Sequence, residues 1–149
     1  MKLNFLFTFF LFLCLATAAQ AQMYNGAIGG RLGFPAGLSY KQFISHSLAI
    51  EGIAGLNGIG SEKMGFTAAL LLENHSEVFV ENLALYYGGG GHLGSYRGDF
   101  EFGIDGIFGL EFVFDGAPLA FSVDVKPALS ITSNVAFIVG GAITLRYVF

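Results

Sequence analysis

The sequence predicts an all-β fold, an eight-stranded antiparallel up-and-down barrel, and three observations predict it. Apolar and polar residues alternate with a period of two through most of the chain. Turn chemistry cuts that alternation into about eight segments. No helical period competes, because glycine, 22 of 149 residues, interrupts every candidate window.

The barrel is expected only after residue 21. Lys2 supplies a positive charge, an apolar run extends from Phe5 to Leu15, and Ala19-Gln20-Ala21 gives a small-x-small cleavage pattern. These predict a secretory signal peptide over 1–21 and a barrel domain over 22–149, about 128 residues long. Leu13 stands where a lipoprotein signal needs a small residue, so Cys14 is expected to leave with the leader. The domain would then have no thiol or disulfide chemistry.

In order, the strands are expected at 26–34, 37–44, 47–56, 64–74, 83–94, 101–114, 118–131 and 135–149. In the first, Ile28, Leu32 and Phe34 oppose Gly29, Arg31 and Gly33. Pro35-Ala36-Gly37, Ser45-His46-Ser47 and Asn57-Gly58 mark turns after the first three. After the fourth, "HSEVFVEN" (75–82) is the least regular connection, and its conformation is open. The sixth, "EFGIDGIFGLEFVFD" from residue 101, is the clearest: Phe102, Ile104, Phe108, Leu110, Phe112 and Phe114 share one parity and Glu101, Asp105, Glu111 and Asp115 the other. Asp115-Gly116-Ala117-Pro118 and Ser133-Asn134 set off the last two strands. In the seventh, Leu119, Phe121, Val123, Val125, Leu129 and Ile131 oppose Ala120, Ser122, Asp124, Lys126, Ala128 and Ser130. Pro127 there removes a ladder hydrogen bond and predicts a bulge. In the eighth, Val135, Phe137, Val139, Ile143, Leu145, Tyr147 and Phe149 oppose Gly140, Ala142, Thr144 and Arg146, with Ile138 and Val148 as exceptions.

The two parities decide what stands on each side. One is almost entirely large aliphatic and aromatic. The other is mostly Gly, Ala, Ser and Thr with Arg31, Lys41, Glu51, Glu73, His92, Asp105, Glu111, Asp124, Lys126 and Arg146. A water-facing surface carries roughly 25–35% charged residues, whereas the whole chain is 54% apolar and 12% charged. Small residues with a few charges suit the interior of a narrow barrel, where about eight strands leave room only for side chains. The four basic and five acidic residues among them nearly balance, as a buried network requires. The expected geometry is therefore a transmembrane barrel: apolar parity to lipid, polar parity to a side-chain-filled lumen with no open pore. Without Lys2 the domain keeps six Lys/Arg against eleven Asp/Glu, a net charge of −5, which argues against nucleic acid as a partner. No stretch after residue 21 is apolar for eighteen residues, so only a closed barrel offers a membrane-spanning solution.

The leader, the eight short strands and the terminal "LRYVF" resemble the small outer-membrane β-barrel proteins of Gram-negative bacteria. The resemblance covers the whole domain and is architectural. It implies export to the outer membrane, contact with its lipids, both termini in the periplasm, and recognition of Tyr147 and Phe149 as an assembly signal by the barrel-assembly machinery. The chain departs from the group in having no tryptophan, so an aromatic girdle would fall to Tyr24, Tyr40, Tyr87 and Tyr147. Its loops are short, leaving little external surface for adhesion or receptor work.

Candidate chemistry is sparse, and no cofactor or metal is expected. "GGGGHLG" holds G-x-G-x-x-G as Gly89, Gly91 and Gly94, but no helix follows, so a bending or closely approached strand is the better reading. His46, His75 and His92 lack zinc-like spacing; His46 and His75 fall at expected turns and read as solvated. His92 sits on the lumen parity with Ser95 and Glu101 downstream, a weak catalytic candidate. Some small outer-membrane barrels are lipid A deacylases with a Ser-His-acid set, but their histidine and serine stand two apart on the lipid-facing side. The favoured role is structural or interactive, with the charges as a pairing network. Alternatives are a lipid-modifying enzyme, an accessory subunit docked on a larger membrane-protein partner through Gly89, Gly91, Gly106 and Gly141, and a soluble ligand-binding barrel.

Overall fold

A computed structural model describes residues 24–132 and 134–149. The expected signal peptide, with Lys2 and Cys14, lies outside the described residues, as does Ser133 of the last expected turn. Eight antiparallel strands close into one barrel: β1 (Gly26–Gly33), β2 (Ala36–Phe43), β3 (Leu48–Asn57), β4 (Gly65–Glu77), β5 (Leu83–Tyr96), β6 (Asp99–Val113), β7 (Leu119–Ile131) and β8 (Val135–Val148). Each strand pairs with its sequence neighbour and β1 closes on β8. The seam is finished by Gly26 N donating to Phe149 O at 2.9 Å and Phe149 N to Gly26 O at 2.8 Å. Both described ends of the chain therefore lie at one end of the barrel.

Register fixes the dimensions. From Ile28 it runs through Tyr40, Gly52, Leu70, Gly91, Ile104, Leu129 and Phe137, which the β8–β1 register, extended, sets opposite position 38. One circuit thus advances the chain by ten residues. Such a stagger tilts strands by roughly 35–45° and leaves an interior that side chains fill.

Two connections differ from expectation. The gap expected between segments ending at 94 and starting at 101 is a two-residue hairpin turn, Arg97-Gly98, with φ of 54° and 85°. Paired positive φ values make the tight turn whose twist matches the flanking strands, so Ser95, Tyr96, Asp99 and Phe100 stay in the ladder. The "HSEVFVEN" stretch is not all loop: β4 runs on through His75, Ser76 and Glu77.

The bulge expected at Pro127 is absent. Asp105 pairs with Ala128 and Phe108 with Val125, one register on both sides, and only the two intervening pairs lapse. Pro127 costs ladder bonds without inserting a residue because Gly106 opposite leaves its ring space; a Cβ there would sit 3.3 Å from Pro127 Cγ.

The alternation sorts side chains cleanly. Ile28, Leu38, Leu70, Phe102, Phe108, Val125, Val139 and Leu145 are exposed on the outer wall, while the charged strand residues between them are buried inside. Among the described residues, the exposed charges are Glu62, Lys63, Glu81, Arg97, Asp99 and Asp115, all in connections or at the first residue of β6.

Candidate functional site

The interior has two unlike regions, and the first lies toward the chain ends. Tyr24, Ala27, Phe43, Ala49 and Ala120 form an apolar plug there. Tyr24 is 8% exposed and donates its hydroxyl to Glu111 at 2.5 Å, so it belongs to the interior and not to an outer girdle. Tyr40, Tyr87 and Tyr147 are on the outer wall. Above the plug, Arg146 donates to Glu51 at 2.5 Å, Glu111 at 2.9 Å, Ser122 at 2.8 Å and Ser39 at 2.9 Å. Lys41 Nζ lies 2.9 Å from Glu73, 3.6 Å from Glu51 and 3.5 Å from Glu111. Two cations thus hold three carboxylates.

His75 supplies the polar contact that a third cation would otherwise make, with Nε2 3.1 Å from Glu73. Far from being a solvated turn residue, it is fully buried in β4 and stacked on Tyr86 at 5.0 Å. His75 and Ser76 are both buried, and the unbroken register of β4 with β5 sets them on opposite faces; the all-polar run His75-Ser76-Glu77 hid the end of the strand. Lys41 Nζ sits 4.2 Å over the Tyr86 ring, a cation–π contact in a dry setting.

A glycine makes the next link possible. Tyr86, Gly109 and Asp124 fall in one row across β5, β6 and β7. A Cβ on Gly109 would stand 2.6 Å from Tyr86 Cζ, so its absence lets the ring cross β6 and donate to Asp124 at 3.2 Å. Asp124 in turn holds Arg31 bidentately at 2.6 and 2.7 Å. Planar two-point pairing of this kind is among the strongest charge-assisted geometries.

The second region is the opposite mouth. His92, Gly103 and Ser130 form another row across the same three strands. A Cβ on Gly103 would meet His92 Cε1 at 2.7 Å, so the imidazole lies over β6 and reaches Ser130, Nε2 to Oγ 3.0 Å. Asp105, two residues along β6 on the same face, receives the other ring nitrogen: Nδ1 to Oδ1 is 2.5 Å. Lys126 Nζ lies 2.8 Å from Asp105 Oδ2. A narrow cavity of about 30 Å³ opens beside these residues, lined also by Asn57, Thr67 and Glu101.

All nine charged residues expected in the network are therefore buried and brought into contact, in three clusters: around Arg146, around Arg31 and around Asp105. The expected companions of His92 are different. Ser95 pairs with Phe100 in the hairpin, and Glu101 lines the cavity; the hydrogen-bond partners are Asp105 and Ser130. Ser130 was missed because it stands 38 residues from His92. Only the registers of two successive hairpins join them. His46 is exposed in the β2–β3 connection. Tyr147 and Phe149 are outward and half exposed. Gly89 and Gly106 face one another across β5 and β6, whereas Gly141 lies opposite Val125 on the far side of β7. The G-x-G-x-x-G of Gly89, Gly91 and Gly94 runs within β5 with no helix after it. Among the described residues no cluster of three or more His, Cys, Asp or Glu could hold a metal ion.

Comparison with known proteins finds no matching family model, no matching curated protein and no matching solved structure.

Proposed function

We propose that this chain is a small outer-membrane β-barrel of a Gram-negative cell envelope, structural or interactive in role, with no open pore. The observation that carries the reading is the inverted distribution of its side chains. A soluble monomer rarely exposes a contiguous apolar patch above about 300–600 Å². Here large apolar residues are exposed on every strand, and none of the outward positions between strand ends bears a charge. The charges lie inside, paired, where a water-soluble barrel would carry its hydrophobic core. Lipid is the solvent in which that arrangement is stable, since a closed barrel pairs its backbone between strands, apart from the lapse at Pro127, and the apolar wall meets acyl chains.

The filled interior supports a plug and not a channel; open aqueous barrels need about sixteen strands. In this reading the chain is exported by its leader, folded by the barrel-assembly machinery with Tyr147 and Phe149 as its signal, and surrounded by outer-membrane lipids. The test is fractionation of cells expressing the full chain. The protein is expected to stay with outer membranes through an alkaline carbonate wash and to migrate differently on a gel before and after boiling. Recovery in the aqueous fraction, with identical mobility boiled and unboiled, would reverse the faces of the barrel and overturn the reading.

A further inference from the structure

We propose that Ser130 is the nucleophile of a small-ester hydrolase site at the barrel mouth, with His92 as its general base. The inference goes beyond the structural or interactive role proposed above and does not depend on it. Three observations carry it. First, the hydrogen bonds run in the order nucleophilic catalysis requires: Ser130 Oγ to His92 Nε2 at 3.0 Å, and His92 Nδ1 to Asp105 Oδ1 at 2.5 Å. A carboxylate only accepts, so Nδ1 carries the hydrogen and Nε2 is left to accept from the hydroxyl. Second, Ser130, His92 and Lys126 all line one cavity that opens at the mouth. Third, the three groups come from three paired strands and meet only because Gly103 lacks a side chain. A site on strands holds its geometry better than one on loops.

The substrate class follows from the space. A small cavity of about 30 Å³ that opens at the mouth suits a short acyl group such as acetyl best. Because the serine faces the interior, a lipid in the surrounding wall would not reach it.

In the first step Ser130 Oγ bonds to the ester carbonyl carbon, its proton passes to His92 Nε2, and the carbonyl pair moves onto oxygen. Lys126, the ammonium lining the cavity, supplies positive charge near that oxyanion. The bond from carbon to the alkoxy oxygen then breaks, and the alcohol leaves with the proton from His92. Water attacks the acyl carbon next; its proton passes through His92 to Ser130 Oγ as the acyl bond breaks, and a carboxylic acid is released. Asp105 is a positioning residue, fixing the tautomer and orientation of His92.

The test uses the full chain purified in detergent, with methanesulfonyl fluoride as an acetyl-sized probe and p-nitrophenyl acetate as substrate. Displacement of fluoride should leave one methanesulfonyl adduct, mapped by mass spectrometry to Ser130. Ser130→Ala should abolish it, and His92→Gln should slow it at least about 100-fold. Asp105→Asn should lower kcat for the acetate ester while leaving KM unchanged, and p-nitrophenyl octanoate should be turned over more slowly than the acetate. Mobility of each variant before and after boiling reports the barrel separately. A folded wild-type protein without an adduct, or an adduct that survives Ser130→Ala, would overturn the site and leave the barrel reading intact.

Discussion

The two ends of the interior are built from the same residue types and solve different problems. Toward the chain ends, Arg146 is fully buried and makes four hydrogen bonds, while Lys41 is shared among three carboxylates. An apolar plug of Tyr24 and Phe43, meeting edge to face at 5.1 Å, seals this region. At the mouth, Lys126 serves one carboxylate and the imidazole serves one hydroxyl beside an open cavity. Buried charge is costly unless it is paired, so a densely cross-linked network closes a barrel while a sparse one leaves room for a ligand. The rows through Gly109 and Gly103 show the same device in both regions: a glycine on the middle strand lets a ring cross to the third.

This contrast predicts a gradient of effects. Arg146→Ala leaves Glu51 and Glu111 only their long contacts to Lys41, 3.6 and 3.5 Å, as ion pairs with a lysine or arginine, and should cost about 3–5 kcal/mol, read as a lowered urea midpoint and melting temperature of the folded barrel in detergent. A neutral result would remove the network as the element that closes this end. Lys126→Met should cost less, about 1.5–3 kcal/mol, because Asp105 keeps its bond to His92 and the cavity admits water. Equal losses for the two variants would erase the distinction between the ends. Gly109→Ala drives a methyl group against Tyr86 and should destabilise by about 1–3 kcal/mol, with loss of the near-ultraviolet signal of a fixed tyrosine. Unchanged stability and signal would show that the ring does not need the gap.

Much of this was legible in the sequence. The parity of Phe102 through Phe114 against Glu101 through Glu111 identified both faces, because a period of two assigns every side chain once the strand is recognised. That reasoning stops where apolar residues stop marking the strand. His75 keeps the inward parity of Glu73, but the run His75-Ser76-Glu77 holds no apolar residue, so a buried aromatic stack was read as a turn. Tyr24 precedes β1, where no parity applies, and its bond to Glu111 spans 87 residues. The Ser130–His92–Asp105 row was hidden for a related reason. It depends on hairpin registers, and those rest on turn conformations such as Arg97-Gly98, whose positive φ values set His92 opposite Gly103. Parity tells which face a residue takes; register tells whom it meets.

The central claim is that the outer wall faces lipid, and spin labels test it directly. Single substitutions Val139→Cys, Ile143→Cys and Leu145→Cys on β8, each carrying a nitroxide, would be placed in bilayers beside Phe79→Cys in the β4–β5 connection. The account predicts that the three β8 labels relax readily with oxygen and are shielded from a water-soluble nickel chelate, while the label at 79 shows the reverse. Nickel access at all three β8 positions would mean that the wall stands in water, and would contradict the membrane-spanning barrel.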